Sequence, residues 1–174
     1  MKYMFAYAEK FNGNISSWDV SSVENMKYMF AYAEKFNGNI SSWNVSSVEN
    51  MKYMFLSTPS ASVQDSDFNQ DLLDWDVSNV TDMQGIFQYA KKFNGNISSW
   101  DVLNVDNMRD MFRGAQSFNG DLSDWDVSSA TTMYGMFYGA QSFNGDLSWN
   151  VSNVTDMSSM FYYAQSFNGD LSGW

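Results

Sequence analysis

The stretch that decides the fold is Phe118 to Ser142, which reads FNGDLSDWDVSSATTMYGMFYGAQS. Close copies of it fill the chain, because Phe-Asn pairs begin at Phe11, Phe36, Phe68, Phe93, Phe118, Phe143 and Phe167. Their spacings are 25, 32, 25, 25, 25 and 24 residues. A fixed period in the twenties is typical of a solenoid, in which each repeat packs on its neighbours. Positions within a unit are counted below from this Phe.

The large apolar residues occupy fixed positions of the unit. All 14 Phe, 7 Trp and 13 Met of the 174 residues lie at positions 1, 8, 16, 19 and 20. We interpret this regular set as a core, not as an aromatic box for a ligand. Each Trp is expected to point inward and to contact its counterpart about 5 Å away in the next repeat. The predicted tryptophan ladder is Trp18, Trp43, Trp75, Trp100, Trp125 and Trp149, continuing to Trp174.

Two kinds of secondary structure are predicted within a unit. From Met133 the apolar residues follow at intervals of 3, 4 and 7, which indicates a helix of about ten residues. Ser21 to Glu24 and Ser46 to Glu49 match capping boxes just upstream. Trp125 and Val127 lie two apart, which indicates a short strand. Strands stack more closely than helices, so the sequence predicts a curved α/β solenoid with parallel strands on its concave side.

An asparagine follows the first Phe of every unit. These residues are Asn12, Asn37, Asn69, Asn94, Asn119, Asn144 and Asn168. Six of the seven precede a glycine, a pair that favours a turn with positive φ. Their amides are expected to form a structural ladder, bonding to the backbone of the next coil.

The chain is predicted to form one repeat domain over residues 1–174. Seven extra residues within 56–67 are expected to leave the stack as a loop, with Phe55 and Phe68 still in their columns. Residues 1–25 and 26–50 differ only at Asp19 and Asn44. Because neither end carries a polar cap, we expect a fragment of a longer protein or ends covered by neighbours.

A family resemblance rests on two motifs. The segment from Leu122 to Ala130 is similar to the L-x-x-L-x-L-x-x-N core of leucine-rich repeats. The longer string W-D-V-S-N-V-T-D-M-x-x-M-F-x-x-A-x-x-F-N, followed closely from Trp75 to Asn94 and from Trp149 to Asn168, resembles the 25-residue repeat of BspA-like leucine-rich-repeat surface proteins, which include bacterial surface lipoproteins. The resemblance implies a right-handed leucine-rich-repeat-like solenoid of about seven strand-helix coils. It also implies an extracellular or cell-surface location and a role in adhesion.

Composition excludes several classes of function. There is no Cys and no His, so disulfides, thiol catalysis and the common histidine base are absent. Every Asp belongs to a repeated column, whereas catalysis needs one singular constellation, so we expect no enzyme and no cofactor. The net charge of −11 argues against a nucleic-acid partner. No apolar run is long enough to span a membrane.

The outward positions of the predicted strands form the candidate binding face. Its members are Ser17, Ser42, Ser99, Asp19, Asn44, Asp76, Asp101, Asp126 and Asn150. The carboxylates at Asp74, Asp76, Asp101, Asp124 and Asp126 could hold calcium, which takes oxygen ligands, or could simply be solvated. We expect the solvated acidic face, and no metal.

Two functions remain open at this point. One is a non-enzymatic surface module for adhesion or for binding protein or glycan partners. The other is a structural building block that assembles with copies of itself into a filament or coat through its uncapped ends or its tyrosines.

Overall fold

The repeats do stack, but their coils are built from turns instead of helices and strands. The structure is a computed structural model and describes residues 1–60 and 65–174. Within these ranges there is no helix, and strand pairing is reduced to single parallel bridges at position 15. The bridges join Asn25 to Asn50, Asn50 to Asp82, Asp82 to Asn107, Asn107 to Thr132 and Thr132 to Asp156. The predicted α/β strand-helix solenoid, and with it the leucine-rich-repeat architecture, is therefore wrong.

The predicted helix is a run of overlapping turns at positions 16–23, called here the turn ribbon. Met29, Ala31 and Ala33 each donate their backbone N–H to the carbonyl three residues earlier, at 3.0–3.2 Å. The intervening Tyr28 and Phe30 donate instead to carbonyls of the next coil, at 3.0 and 2.9 Å. Half of the backbone groups are thus paired within a coil and half between coils, which satisfies them without a helix.

The periodicity of the turn ribbon explains why it resembles a helix in sequence. Its backbone repeats every four residues, with positive φ at positions 18 and 22, such as 57° at Tyr28 and 58° at Tyr32. The buried side chains consequently fall at positions 16, 19, 20 and 23. These intervals are the same 3, 4 and 7 that an amphipathic helix produces. Hydrophobic spacing alone cannot separate the two structures.

The predicted strand is also replaced by turns. Trp125 and Val127 are both buried, as predicted from the alternation of apolar and polar residues. However, Trp125 donates its N–H to the Leu122 carbonyl at 3.2 Å, and Ala130 donates to Val127 at 2.9 Å. Each coil therefore bends twice where a strand was predicted. With neither strands nor helices in the coils, the curvature expected from their unequal spacings has no structural basis.

The capping boxes do not start helices. The backbone N–H of Glu49 donates to the carbonyl of Glu24 in the preceding coil at 2.9 Å. The same bond recurs at position 14 in later coils, for example from Thr131 to Asp106. These residues therefore join neighbouring coils.

A continuous aromatic core fills the stack. The position 1 phenylalanines lie 5.8–6.0 Å apart between ring centroids from Phe11 to Phe167. Each also stacks on the position 20 phenylalanine of the same region, as Phe93 does on Phe87 at 3.8 Å. Phe55 and Phe68 keep their columns on either side of the insert and stack on each other at 4.0 Å. The core is therefore continuous through the stack.

The insert is attached to the stack at both of its described ends. Leu56 and Ser57 are buried, and Ser57 donates its backbone N–H to Gln88 at 2.8 Å. After the insert, Asp67 pairs with Lys92 at 2.6 Å and with Lys35 at 3.2 Å. The predicted loop at 56–67 includes residues 61–64, which lie outside the described residues.

Candidate binding surfaces

The residues predicted to line a strand face instead form the corners of the coils. The corner column is position 9, occupied by Asp19, Asn44, Asp76, Asp101, Asp126 and Asn150. Each of these side chains accepts the backbone N–H of the residue two further on, at 3.0–3.2 Å. Such side chain to backbone bonds are typical of Asx turns. The corner column is exposed to solvent, and its side chains are held in one repeated orientation.

Serine hydroxyls lower the pKa of the corner carboxylates. Bonds from the hydroxyl and backbone N–H of Ser21 hold the pKa of Asp19 below its ordinary value. The same donors from Ser78 lower the pKa of Asp76, and those from Ser128 lower the pKa of Asp126. The chain contains its own neutral comparison, since Asn44 accepts the equivalent bonds at 3.1 and 2.7 Å. The turn therefore needs the side-chain oxygen and not the charge.

The position 7 residues of the predicted face lie beside the corner column. Ser17, Ser42, Asp74, Ser99 and Asp124 are all exposed. The Ser99 hydroxyl donates to the carbonyl of Leu73 in the preceding coil at 2.5 Å. A shallow depression of about 340 Å³ runs over this surface at Asp124, Asp126 and Asn150.

The calcium candidates do not converge on one point. Over residues 1–60 and 65–174, no three Asp or Glu side chains come together in a group that could hold a metal ion. Asp76 and Asp126 direct one carboxylate oxygen to their own serines, at 2.6 Å for the Asp76 pair. Asp101 accepts the N–H of Leu103. The structure assigns these three carboxylates to their own turns.

The asparagine column is brought together as a ladder. The Asn37 backbone N–H donates to Oδ1 of Asn12 at 3.0 Å, and the pattern continues to Asn168, which donates to Asn144 at 2.7 Å. The intermediate bonds, from Asn69, Asn94, Asn119 and Asn144, are 2.8–3.0 Å long. Each side chain thus satisfies a backbone donor of the next coil.

The tryptophans lie inside and are joined by bonds that the spacing did not reveal. Trp43, Trp75, Trp100, Trp125 and Trp149 are 2–3% exposed, whereas Trp18 at the first coil is half-buried. Ring centroids from Trp75 to Trp174 are 6.3–6.4 Å apart, somewhat farther than the expected 5 Å. From Trp43 to Trp174, each Nε1–H also donates to the position 5 carbonyl of the preceding coil, as Trp100 does to Leu72 at 2.9 Å.

The outer side of the turn ribbon carries tyrosines and cations. Tyr3, Tyr28 and Tyr53 stack at 4.8 and 4.9 Å along position 18, and Tyr7 stacks on Tyr32 at 4.7 Å along position 22. Burial raises the pKa of Tyr28 and Tyr53. Further along, the guanidinium of Arg113 lies 4.1 Å above the Tyr138 ring, a cation–π arrangement.

A groove interrupts this tyrosine surface. It has a volume of about 250 Å³, and its lining includes Tyr89, Tyr138 and Tyr163 together with Gln116, Gln141 and Gln165. Gly114 and Gly139 stand where position 22 carries tyrosine in other coils. This feature is called the tyrosine groove below.

Comparison with known proteins yields one family. A family model described as "Mycoplasma protein of unknown function, DUF285" matches residues 1–67 and 57–174. The chain belongs to this family. No curated protein and no solved structure matches it. DUF285 is an uncharacterised repeat family, so membership establishes a repeat module and assigns no activity to any residue. The membership is compatible with the resemblance to BspA-like surface proteins.

The described part of this DUF285 chain contains no apolar helix of the length that crossing a bilayer requires.

Sequence reasoning missed the tyrosine groove because it assigned positions 16–23 to a helix. One signal was available. Gly85, Gly114, Gly135 and Gly139 all lie inside the proposed helices, where glycine is unfavourable. They occupy only positions 18 and 22, and their φ values are 59–69°. Glycine restricted to two positions of a repeat is a signature of positive φ.

Proposed function

We propose that the chain is a non-enzymatic module that presents a rigid repeated surface to protein or glycan partners outside the cell. The observation that carries the proposal is the corner column. Six successive coils hold a polar side chain in the same hydrogen-bonded turn, so the exposed groups form an ordered array. A fixed array can bind an extended partner with little loss of conformational entropy.

The absence of an enzymatic role is part of the proposal. Among the described residues, the buried polar side chains are Ser57, Ser66 and Asp110. Asp110 forms ion pairs with Arg113 at 3.2 Å and with Arg109 at 3.3 Å. The exposed carboxylates recur in columns, which favours repeated binding contacts over one catalytic constellation.

The proposed location outside the cell rests on the resemblance to BspA-like surface proteins.

The test is binding of the purified chain to immobilised extracellular-matrix proteins and to host-cell surfaces. The matched variant carries Asp76→Asn, Asp101→Asn and Asp126→Asn. Because Asn44 and Asn150 make the same turn bond, this variant should keep its fold while losing three charges of the corner column. We expect the chain to bind and the variant to bind less. Lack of binding across matrix proteins and cells would contradict the proposed function.

A second function, assembly into a filament, is favoured by the complementary edges of the stack. In the first described coil the carbonyls of Lys2 and Met4 receive no bond, although Lys27 and Met29 accept one at the same positions. In the last coil, Ser159 and Phe161 likewise have unused N–H groups on their positions 18 and 20. A coil stacked on either edge, from a second copy or from the same protein, would complete these bonds.

Head-to-tail contacts of this kind are heterologous and propagate without closing. Sedimentation velocity and electron microscopy test the assembly. We expect concentration-dependent chains of stacked molecules. A monomer at all concentrations would contradict this second function.

A further inference from the structure

The tyrosine groove lies where two successive coils carry glycine at position 22. This position carries tyrosine at residues 7, 32, 89 and 163, serine at residue 57, and glycine at residues 114 and 139. The Tyr89 ring fills the first gap by lying across Gly114, where a Cβ atom would meet it at 2.4 Å. A Cβ built at Gly139 would meet only the backbone of Gly114, at 3.8 Å, so apart from its chain neighbours no described side chain covers that position. The vacant space is therefore over Gly139, between the rings of Tyr89 and Tyr163.

Amides line the groove beside these rings. Gln116, Gln141 and Gln165 stand at position 24 of three successive coils. Their side chains form no hydrogen bond within the described part of the chain, so each amide has a donor and an acceptor without a partner there. They repeat along the stack at the coil spacing, which suits a ligand that is itself a linear repeat.

The groove is close to neutral in a chain whose net charge is −11. None of the described residues that line it is acidic. Lys91, the one cation in the described part of the lining, is paired with Asp65 at 2.5 Å. An anionic ligand would have to compete with that pair, and a cationic ligand would find no carboxylate in the lining. Charge therefore favours an uncharged ligand.

We propose that the tyrosine groove is a binding site for neutral oligosaccharides. A pyranose ring has an apolar C–H face, which fits against Tyr89 and Tyr163, and a rim of hydroxyls, which fits the three glutamine amides. Aromatic surface combined with a few placed polar groups is the usual composition of a small-molecule site. This inference rests on the proposed surface-binding function and names the ligand class of one surface.

The test is calorimetric titration of the whole chain with cellotetraose, maltotetraose and chitotetraose. Sialyllactose and a tyrosine-containing peptide serve as comparison ligands. We expect at least one neutral tetrasaccharide to bind, and the two comparison ligands not to bind. Gly139→Tyr restores the residue that position 22 carries elsewhere at the same positive φ, so it should fill the groove and lower affinity at least about tenfold.

Ser159→Tyr is the matched control. It also places a tyrosine at a positive φ, 58° at position 18, where Tyr3 and Tyr28 already stand, but it lies outside the groove lining. The affinity of the Ser159→Tyr variant for the neutral tetrasaccharide should equal that of the parent chain. The double variant Gln141→Ala and Gln165→Ala should also weaken binding, with an unchanged Tm showing that the fold is intact.

Three results would overturn the inference. The first is no binding of any neutral tetrasaccharide, the second is binding that survives Gly139→Tyr, and the third is binding of the peptide or sialyllactose in preference. Adhesion to cells or matrix that persists in the Gly139→Tyr variant would place binding on another surface and leave the proposed function standing. Sugar binding that depends on the groove, without adhesion to cells or matrix, would support the groove as a sugar site and would contradict the proposed function.

Discussion

Trp100→Ala removes a side chain from the middle of the stack and should be strongly destabilising. Trp100 is 2% exposed, and its ring lies 6.3 Å from both Trp75 and Trp125 between centroids. Truncation of a buried Trp costs about 3–5 kcal/mol in free energy of unfolding. Part of this is the loss of two aromatic contacts, each about 0.5–1.5 kcal/mol. Another part comes from the buried Leu72 carbonyl, which loses the Trp100 Nε1–H that donates to it at 2.9 Å. Leaving a buried acceptor without a donor costs about 1–3 kcal/mol.

Trp174→Ala supplies the comparison at the end of the described stack. Trp174 is half-buried and has a tryptophan neighbour on one side only, Trp149 at 6.4 Å. Its loss should cost less, about 1–2 kcal/mol, because stability in a stack of repeats is set by nearest-neighbour contacts. At about 2–4 °C per kcal/mol for a chain of this size, Trp100→Ala should lower Tm by about 6–20 °C and Trp174→Ala by about 2–8 °C.

Differential scanning calorimetry of the two variants beside the parent measures these shifts. Trp100→Phe is the control that keeps most of the ring contacts but removes the Nε1–H donor, so it should fall between the parent and Trp100→Ala. Equal losses at Trp100 and Trp174 would refute the nearest-neighbour argument. A Trp100→Phe variant as stable as the parent would refute the role of the bond to Leu72.

Three further outcomes are expected. The pKa values of Asp76 and Asp126 are lowered in the folded chain, so their ionised carboxylates stabilise the fold at pH values above the pKa of the unfolded chain, about 3.9 for Asp. This contribution disappears as pH falls through the pKa values of the folded chain. Asp76→Asn with Asp126→Asn should therefore flatten the fall of Tm between about pH 5 and 3. Gly114→Ala should lower Tm more than Gly139→Ala does. The backbone strain is similar, because the two glycines have φ values of 69° and 68°, but only at Gly114 would the new Cβ meet the Tyr89 ring, at 2.4 Å. Asn94→Ala should cost about 0.5–1.5 kcal/mol in urea unfolding, since the next coil loses the acceptor of a 2.8 Å bond.

Each of these outcomes has its own control. For the acid profile, the Asn double variant should be slightly less stable than the parent at pH 7 and should approach it near pH 3. An unchanged slope below pH 5 would contradict the assigned bonds. For the glycines, equal Tm values in the two alanine variants would contradict the packing described at Gly114. For the ladder, Asn94→Asp keeps the acceptor oxygen and should be milder than Asn94→Ala; the reverse order would count against the ladder.

The repeat and its buried columns could be predicted from the sequence, whereas the path of the backbone could not. A residue type that recurs once per unit, such as Trp100 or Phe93, falls above its counterpart in any stacked structure, whatever the coil is made of. The same holds for the asparagine ladder, because Asn94 and Asn119 meet through register alone. The sequence could also place the corner residues at the surface, because alternation of apolar and polar residues requires it.

The tertiary structure decided how the backbone groups are paired. Positions 16–23 have one apolar pattern that fits both a helix and a ribbon of turns, and the choice depends on carbonyls in the next coil that accept from Tyr28 and Phe30. Those carbonyls are a full repeat away in sequence, so the helix or turn propensity of positions 16–23 carries no information about them. The tyrosine groove follows from the same cause. Its walls, Tyr89 and Tyr163, come from separate coils and become neighbours of Gly139 only when the coils stack in this register.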